Sequence, residues 1–382
     1  MDFALPEELR VFKETVRRFV DAELIPREQT EPRGLLPETR ERLRSMTRDM
    51  GLWLLDVPKE LGGQGLSLLG QYVFYEELYR TVAMPPRDFY MFGPFVAPIL
   101  TKLKGEQKER YLDPVIRGEK TSCFAQTEPD AGSDPASMRT RAVRNGDHYV
   151  INGVKRFITD ADKADFAQVM AVTDPAKRAH GGISCFLVDM DTPGVKVTVR
   201  YQTMMGDSPC EVVFDNVRVP AKNLIGNEGD GFRLAQDWLT QNRLLRHGAR
   251  SCGVAERCLE MGVRYAKQRV TFGEPLANRQ SIQWMLADTY TELQAARHLV
   301  RHAAWKYDQG EDVRVETYVA KMYSTEMAFR AADRCLQIHG GIGLTLDLPI
   351  QRFWRDSRTY TITDGSAEVL RMTLARHLLK QY

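Results

Sequence analysis

Six cysteines and one cluster of glycines are the first candidates for metal, thiol or nucleotide chemistry. The six cysteines include no C-x-x-C pair and no Cys/His cluster at zinc-ligand spacing. They stand at Cys123, Cys185, Cys210, Cys252, Cys258 and Cys335. The pattern predicts buried, unpaired thiols in a reducing compartment and no metal site.

The glycine cluster Gly340-Gly-Ile-Gly343 is not the G-x-G-x-x-G of a strand-to-helix dinucleotide site. The chain also has no Walker A loop, no G-x-S-x-G and no H-E-x-x-H. These absences disfavour a nicotinamide-binding Rossmann domain. Several glycine- and hydroxyl-rich segments remain, and by composition alone they are compatible with plain turns.

Length and charge set the class of protein that must position such residues. The 382 residues suffice for two to three domains, and 43% hydrophobic with 27% charged residues is typical of a soluble globular enzyme. A net charge of +2, from 53 basic and 51 acidic residues, disfavours a nucleic-acid partner. No apolar run approaches the roughly 18 residues of a membrane span, and no signal pattern opens the chain. We therefore expect a cytoplasmic protein with no membrane contact.

Hydrophobic periodicity divides the chain into three parts, which together predict an α+β fold. Apolar residues at helical spacing from Leu9 to Val20, and helical stretches at 37–50, 68–82 and 106–117, predict an N-terminal helical domain over residues 1–120. A long apolar stripe from Ile282 to Val300, with comparable stripes at 232–268, 313–338 and 366–381, predicts a four-helix bundle over residues 229–382.

The middle segment, residues 121–228, has the pattern of an antiparallel β domain. Asn145-Gly146 lies between two short strand-like runs, which is the strongest local signal for a hairpin. Further strands are predicted near 167–172, 183–188, 195–199 and 211–214, joined by loops that contain proline and glycine.

Five segments in this order and spacing resemble the signatures of the acyl-CoA dehydrogenase family, over essentially the whole chain. They are Pro58-Lys-Glu-Leu-Gly-Gly-Gln-Gly65, Thr127-Glu-Pro-Asp-Ala-Gly-Ser-Asp134, Ile151-Asn-Gly-Val-Lys-Arg-Phe-Ile-Thr159, Phe214-Asp-Asn-Val-Arg-Val-Pro220 and Gln337-Ile-His-Gly-Gly341. The resemblance implies an α, β, α architecture, an FAD cofactor and a homotetramer or dimer of dimers.

Four residues of the β domain are expected, from the resemblance, to contact the flavin ring. Isoalloxazine is a flat apolar ring with a polar edge, which hydroxyl and amide groups bond and aromatic groups cover. Gln126 and Thr127 are expected at the pyrimidine edge, Thr159 near the reactive nitrogen and Phe157 against the ring. The alternative is that these side chains only fill a β core.

Further cofactor contacts implied by the resemblance lie in the C-terminal domain. Arg269 and its neighbours are expected to reach the FAD of another subunit, where the guanidinium suits a pyrophosphate. The glycine turn lets backbone amides approach the same cofactor. The complete C-terminal set is Arg269, Phe272, Gln280, Gln337, Gly340, Gly341, Ser366 and Glu368.

Substrate contacts are likewise implied by the resemblance. Ser133 and Arg243 match positions that approach coenzyme A, although one residue is inserted between Arg243 and Gly253, so Arg246 is an alternative. Asp88 and Tyr90 lie in a stretch that lines the acyl pocket of relatives. The aromatic residues of that stretch, if they wall the pocket, favour a short, branched or cyclic acyl group; they are Phe89, Tyr90, Phe92 and Phe95.

The expected base departs from the family pattern. Relatives carry a glutamate in a Y-E-G-T/S motif, whereas this chain has Asp364 in Ile362-Thr-Asp-Gly-Ser366, a side chain ~1.5 Å shorter. The second position known for that glutamate corresponds to Asn242 or a neighbour in this chain, which cannot act as a base. Asp364 is our candidate for the catalytic base, with Asp88 or no base at all as the alternatives.

Together these features predict an FAD-dependent dehydrogenase that converts an acyl-CoA, or another acyl thioester, to its 2,3-enoyl form. Asp364 removes the α proton, flavin accepts the β hydride, and an electron-transferring flavoprotein is the expected acceptor. Two alternatives stay open: a flavin oxidase of nitroalkane type, and a catalytically silent flavin-binding subunit. The sequence leaves the acyl group and its carrier undetermined.

Overall fold

The computed structural model describes residues 4–32, 34–84 and 90–382, with the side chain of Tyr90 left out. The chain forms two compact units, and each is described by itself. A helical unit comprises Met1–Asp56, Gly63–Asp88 and Thr240–Tyr382, and a β unit comprises Val57–Gly62 and Phe89–Leu239. The predicted domain boundaries at 120/121 and 228/229 stay predictions.

Twelve α-helices and nine strands are present in the described part of the chain. The helices are α1 Glu7–Phe19, α2 Arg27–Thr30, α3 Pro37–Asp49, α4 Leu68–Leu78, α5 Gly105–Gln107, α6 Asp113–Arg117, α7 Gly231–Asn242, α8 Arg250–Gln268, α9 Gln280–Asp308, α10 Arg314–His339, α11 Ile350–Tyr360 and α12 Ala367–Gln381. The strands are β1 Ser122–Ala125, β2 Arg141–Asn145, β3 His148–Ile158, β4 Phe166–Val172, β5 Ile183–Asp189, β6 Val195–Arg200, β7 Cys210–Pro220, β8 Val270–Thr271 and β9 Glu274–Pro275. The predicted fold class, helical at both ends with a β middle, is confirmed.

In the helical unit, α4 is the central helix because it is buried on nearly every side. Helices α1, α8 and α9 pack on it, α10 packs on α8 and α9, and α11 and α12 pack on α10. A π-helical segment, Arg243–Ala249, lies between α7 and α8. No helix in the described ranges combines the length and apolar character needed to cross a membrane.

Two glutamates on α4, Glu76 and Glu77, are fully buried in this helical core. Glu76 accepts from Arg297 Nε at 2.5 Å and from Arg301 Nη2 at 3.1 Å, and the Lys13 ammonium lies 3.6 Å away. A buried carboxylate needs such partners, since removing one side of a buried ion pair leaves an uncompensated charge. Burial opposes ionisation of Glu76, but Arg297, Lys13 and Arg301 outweigh it and lower its pKa to about 2.

We expect this depressed pKa to make the helical unit sensitive to acid. The stabilisation is complete above the ordinary glutamate pKa of 4.5 and is lost as pH falls through about 2. Glu76→Gln should lower the free energy of unfolding near neutral pH by about 3 kcal/mol and flatten its dependence between those two pH values. Urea unfolding at a series of pH values measures both effects. Glu41→Gln, at an exposed site on α3, is the control, and an equal loss in the control would contradict the assignment.

The β unit contains a seven-stranded sheet in the order β1-β4-β2-β3-β7-β6. The seventh strand, β5, is outside this order and pairs with β4. The predicted β2–β3 hairpin is confirmed, but its turn is shifted by one residue. Asn145 pairs with His148, so the two loop residues are Gly146 and Asp147. Gly146 has φ of 61° at the first loop position, where glycine is the favoured residue.

The sheet is not wholly antiparallel, which corrects one part of the sequence prediction. The pairs β2–β3, β3–β7, β4–β5 and β6–β7 are antiparallel, whereas β1 pairs with β4 in parallel, from Ser122↔Phe166 to Ala125↔Val169. Parallel pairing needs a long connection, and the β2–β3 hairpin lies within the one that joins β1 to β4.

All six cysteines are buried and unpaired, as predicted.

Candidate active site

The turn before α12 presents Asp364 in an unusual backbone conformation. Asp364 has φ of 56° and Gly365 has φ of 94°, so two successive residues lie in the left-handed region. Glycine occupies this region freely and aspartate tolerates it better than most residues. Ser366 then caps α12 by accepting from the backbone N–H of Val369 at 3.4 Å. The cap fixes the start of α12 directly after the turn. It thereby fixes the backbone position from which the Asp364 side chain extends.

Two buried cations hold the backbone of this turn. Arg243 Nε donates to the Asp364 carbonyl at 2.8 Å, and Lys321 Nζ donates to the Gly365 carbonyl at 2.7 Å. Arg243 is 6% exposed and Lys321 is 0% exposed. Burial lowers the pKa of both, to about 8 for Lys321, while Asp364 opposes the shift. The Asp364 carboxylate therefore lies on a turn that two buried cationic side chains hold.

The Asp364 carboxylate is itself held by two side chains and remains 28% exposed. Its Oδ2 accepts from Asn242 Nδ2 and lies 2.9 Å from Nε2 of His247. Asn242, expected to be no base, serves as a donor to the candidate base. Sequence reasoning missed His247. The only signal for it was the residue inserted between Arg243 and Gly253, a region in which the helix adopts π geometry.

The structure distinguishes the two candidate arginines by their surroundings. Arg243 contacts the Asp364 turn and lies 5.7 Å from the centre of the Tyr318 ring. Arg246 lies beside Tyr75 and Asp56 instead. Arg243 is therefore the arginine that belongs to the Asp364 cluster, and its contact with coenzyme A stays a prediction.

In the β unit, the loop after β1 is pinned by β3. Lys155 Nζ donates to the Gln126 carbonyl at 2.9 Å and to Glu128 Oε1 at 2.8 Å, and the Arg156 N–H donates to the Thr127 carbonyl at 2.8 Å. Burial lowers the pKa of Lys155 to about 8, with Glu128 opposing. The loop thus presents the Gln126 side chain from a fixed backbone.

The end of β3 is irregular where it carries Phe157. The pairing with β7 shifts register between Lys155 and Ile158, and Phe157 has φ of 59° with its side chain 56% exposed. Its ring centre lies 5.1 Å from that of Tyr201. Thr159 follows the strand and is partly buried. Bulges of this kind redirect side chains and are frequent beside active sites.

These β-unit residues fit a flat ring with a polar edge. The Gln126 Oε1 atom is buried without a hydrogen-bond partner among the described residues, and such an acceptor is costly unless a ligand or water bonds it. Phe157 offers an exposed aromatic face, which the positive φ directs out of the core. A residue that only filled the β core would be neither exposed nor strained.

The predicted cofactor residues of the helical unit lie on its surface. Arg269 and Gln280 are exposed, and Phe272, at the tip of the β8–β9 hairpin, is 97% exposed with φ of 51°. Gln337 and the two glycines after it are also exposed. A Cβ at Gly340 or Gly341 would meet nothing within 4 Å, so space for a ligand is present there.

The remaining predicted residues are dispersed or lie outside the described ranges. Ser133 is exposed in a loop, and Glu368 is exposed in the first turn of α12. Asp88 and Phe89 lie outside the described residues, as does the side chain of Tyr90. No group of three or more His, Cys, Asp or Glu in the described part of the chain has the arrangement of a metal site.

Three family models match the chain. They are the acyl-CoA dehydrogenase N-terminal domain over residues 6–119, the middle domain over 123–217 and the C-terminal domain over 229–379.

Among curated proteins, the chain is 34% identical to an acryloyl-CoA reductase (NADH) of Anaerotignum propionicum, covering 100% of this chain and 97% of that protein. It is 36% identical to an (R)-benzylsuccinyl-CoA dehydrogenase of Thauera aromatica, covering 99% and 97%. Among solved structures, butyryl-CoA dehydrogenase of Megasphaera elsdenii superposes with a TM-score of 0.85 at 33% identity, covering 99% and 100%. PigA with FAD and proline gives a TM-score of 0.88 at 27% identity, with both chains fully covered.

Proposed function

The chain belongs to the acyl-CoA dehydrogenase family of FAD-binding oxidoreductases, and we propose that it oxidises an acyl thioester to its 2,3-enoyl form with Asp364 as base. The assignment of the base depends on one observation, which is the placement of the Asp364 carboxylate. It is partly exposed, and it lies on a turn fixed by Arg243 and Lys321. A base needs a defined position and a side chain that substrate can reach.

In the proposed reaction Asp364 takes the proton from Cα, and the electron pair of that C–H bond forms the Cα=Cβ bond. The hydrogen on Cβ leaves with its electron pair as hydride. Bound FAD supplies the hydride acceptor. The Arg243 and Lys321 cations stay on the backbone of the turn throughout, so the carboxylate changes its charge without losing its position.

We propose that FAD is held by Gln126, Thr127, Phe157 and Thr159 of the β unit. The buried, unpartnered Gln126 Oε1 and the exposed Phe157 ring support this placement. The exposed Arg269, Phe272 and Gln280, and the glycine turn at Gly340, are proposed to complete the cofactor site of another subunit in a homotetramer. The almost full exposure of Phe272 supports a partner at the hairpin tip, since a large apolar side chain is seldom left in water.

The proposed substrate is a short, branched or cyclic acyl-CoA. Relatives named for acryloyl-CoA, (R)-benzylsuccinyl-CoA and short-chain acyl-CoA support this class. In the predicted aromatic stretch Phe92 is buried and the Phe95 ring centre lies 6.3 Å from that of Trp238, and their role as walls of the acyl pocket is a proposal from the resemblance. Ser133 and Arg243 are the proposed coenzyme A contacts, and an electron-transferring flavoprotein is the proposed acceptor.

Anaerobic mixing of the FAD-loaded protein with a panel of acyl-CoAs tests the proposal. We expect the flavin absorbance band to bleach with a short, branched or cyclic acyl-CoA and the enoyl-CoA to accumulate in equal amount. Peroxide formed in air at the rate of substrate turnover, or bleaching by a nitroalkane alone, would make the protein an oxidase. Retained flavin that no acyl-CoA bleaches would make it a silent subunit.

A further inference from the structure

His247 is a buried imidazole in contact with the proposed base, and nothing in the proposed reaction yet uses it. Its Nε2 lies 2.9 Å from Asp364 Oδ2, and the residue is 6% exposed. On its other side the Tyr360 ring packs edge-on, with ring centres 6.2 Å apart, and Tyr360 is itself 2% exposed. The imidazole is therefore fixed by packing on one side and by the carboxylate on the other.

Spacing along the helical segment Arg243–Ala249 explains how His247 reaches this position. Arg243 and His247 are four residues apart, and both contact Asp364, one at its carbonyl and the other at its carboxylate. Side chains four residues apart lie on the same face of a helix. The helix thereby directs a cation and an imidazole to the same turn.

The protonation state of His247 follows from its surroundings. Burial lowers its pKa to about 4, although Asp364 opposes the shift, so the imidazole is neutral at physiological pH. A neutral imidazole has one N–H. A carboxylate accepts hydrogen bonds, so we assign the proton to Nε2. Nδ1 has no partner in the described part of the chain, which is tolerable for a lone pair but more costly for an N–H.

We infer that His247 is a positioning residue for Asp364, whose Nε2–H holds one carboxylate oxygen in place and favours the charged form that abstracts the α proton. This inference rests on the proposed function of Asp364. Orientation matters more for the shorter aspartate, because a misplacement of about 1 Å can slow a reaction on the order of 100-fold. Asn242 is the second donor to the same oxygen and does not titrate.

The other charged groups near the pair are all retained when His247 is replaced. Arg243 and Lys321 hold the turn, Arg250 lies near His247, and Glu368 influences Lys321 from α12. Replacing the neutral His247 therefore removes one hydrogen bond to the Asp364 carboxylate and leaves the surrounding charged groups in place. A hydrogen bond to the charged form lowers a carboxyl pKa, so its removal should raise that pKa by about one unit.

The test compares His247→Phe and His247→Leu, which remove the donor, with His247→Gln, whose amide nitrogen takes the place of Nε2. Flavin bleaching by the best acyl-CoA is followed against pH, with substrate carrying hydrogen or deuterium at Cα. In the Phe and Leu variants we expect the acid limb of kcat/KM to move up by about one pH unit and kcat to fall roughly 10- to 100-fold. KM should stay within about 3-fold of wild type. The α-deuterium isotope effect should rise, and His247→Gln should restore most of the rate.

Each outcome decides the inference. An unchanged acid limb and isotope effect in a folded, FAD-loaded Phe or Leu variant would overturn it, as would an equal loss in the Gln variant, since shape alone would then explain the role. The control His377→Phe alters an exposed histidine on α12 and should leave both readouts unchanged. Bleaching of Asp364→Asn at the wild-type rate would refute the proposed base instead. A slow Asp364→Asn beside a normal His247→Phe overturns the His247 inference alone.

Discussion

Asp364→Asn is expected to slow the bleaching of bound FAD by acyl-CoA about 10²- to 10⁴-fold while FAD stays bound, because a positioned base contributes a factor of that size. Asparagine keeps the shape of the side chain and tolerates the φ of 56° at this turn. It has no basic oxygen with which to remove a proton. Stopped-flow absorbance under anaerobic conditions measures the rate, and the flavin-to-protein absorbance ratio measures retention.

Asp312→Asn is the matched control for this change. Asp312 is an acidic residue that pairs with Arg314 at the start of α10. The control should bleach at the wild-type rate. Wild-type bleaching by Asp364→Asn would contradict the assignment, and the alternative base Asp88 would then be the residue to replace.

Adding Asn242→Glu to Asp364→Asn is expected to restore at least about 10-fold of the lost rate, a fraction of what general-base catalysis contributes. The Asn242 Nδ2 atom contacts Asp364 Oδ2, so a carboxylate on the longer glutamate side chain enters the region of the original base. The amide introduced at position 364 of the double variant can donate to that carboxylate. In an otherwise wild-type chain Asn242→Glu should instead be inhibitory, since two carboxylates in contact raise the pKa of one of them. Stopped-flow bleaching of the single and double variants measures both effects.

Gln241→Glu in the same background is the control for this rescue. Gln241 donates to the Tyr307 hydroxyl at 2.9 Å, away from the Asp364 carboxylate. Its replacement introduces the same charge one position earlier on the helix and should give no recovery. Equal recovery from both positions would mean that added negative charge, and not a relocated base, accounts for the rate.

The direction of the reaction is a separate property from the geometry of the site. The relatives include a reductase and dehydrogenases at similar identity. In the proposed mechanism, the carboxylate that removes the α proton in oxidation returns it in reduction, since the two directions share one transition state. The redox partner therefore decides the net direction, and Asp364→Asn should slow both.

Local sequence patterns predicted the elements that local forces determine. The β2–β3 hairpin follows from the strand-like runs around Asn145-Gly146, and α4 lies within the helical stretch predicted at 68–82. Motif resemblance placed Asp364, and the structure brings Arg243 to the same turn. The hairpin, α4 and Asp364 could each be assigned from a short stretch of the described chain.

Features that depend on contacts between distant segments were not predictable from such patterns. The parallel β1–β4 pairing joins strands some forty residues apart, and the strain at Phe157 arises from a bulge against β7. His247 was missed because its contact with Asp364 joins residues that are 117 positions apart in the chain. Glu76 was missed because its three cationic partners come from α1 and α9.

A crystal structure of the FAD-loaded Asp364→Asn variant with a saturated acyl-CoA bound tests whether residue 364 is placed as the base. We expect a terminal atom of residue 364 to lie within about 3.5 Å of the substrate α carbon, the separation of a productive complex. We also expect Asn242 and His247 to contact that side chain. An α carbon distant from residue 364 and adjacent to another carboxylate would show that Asp364 is not the base.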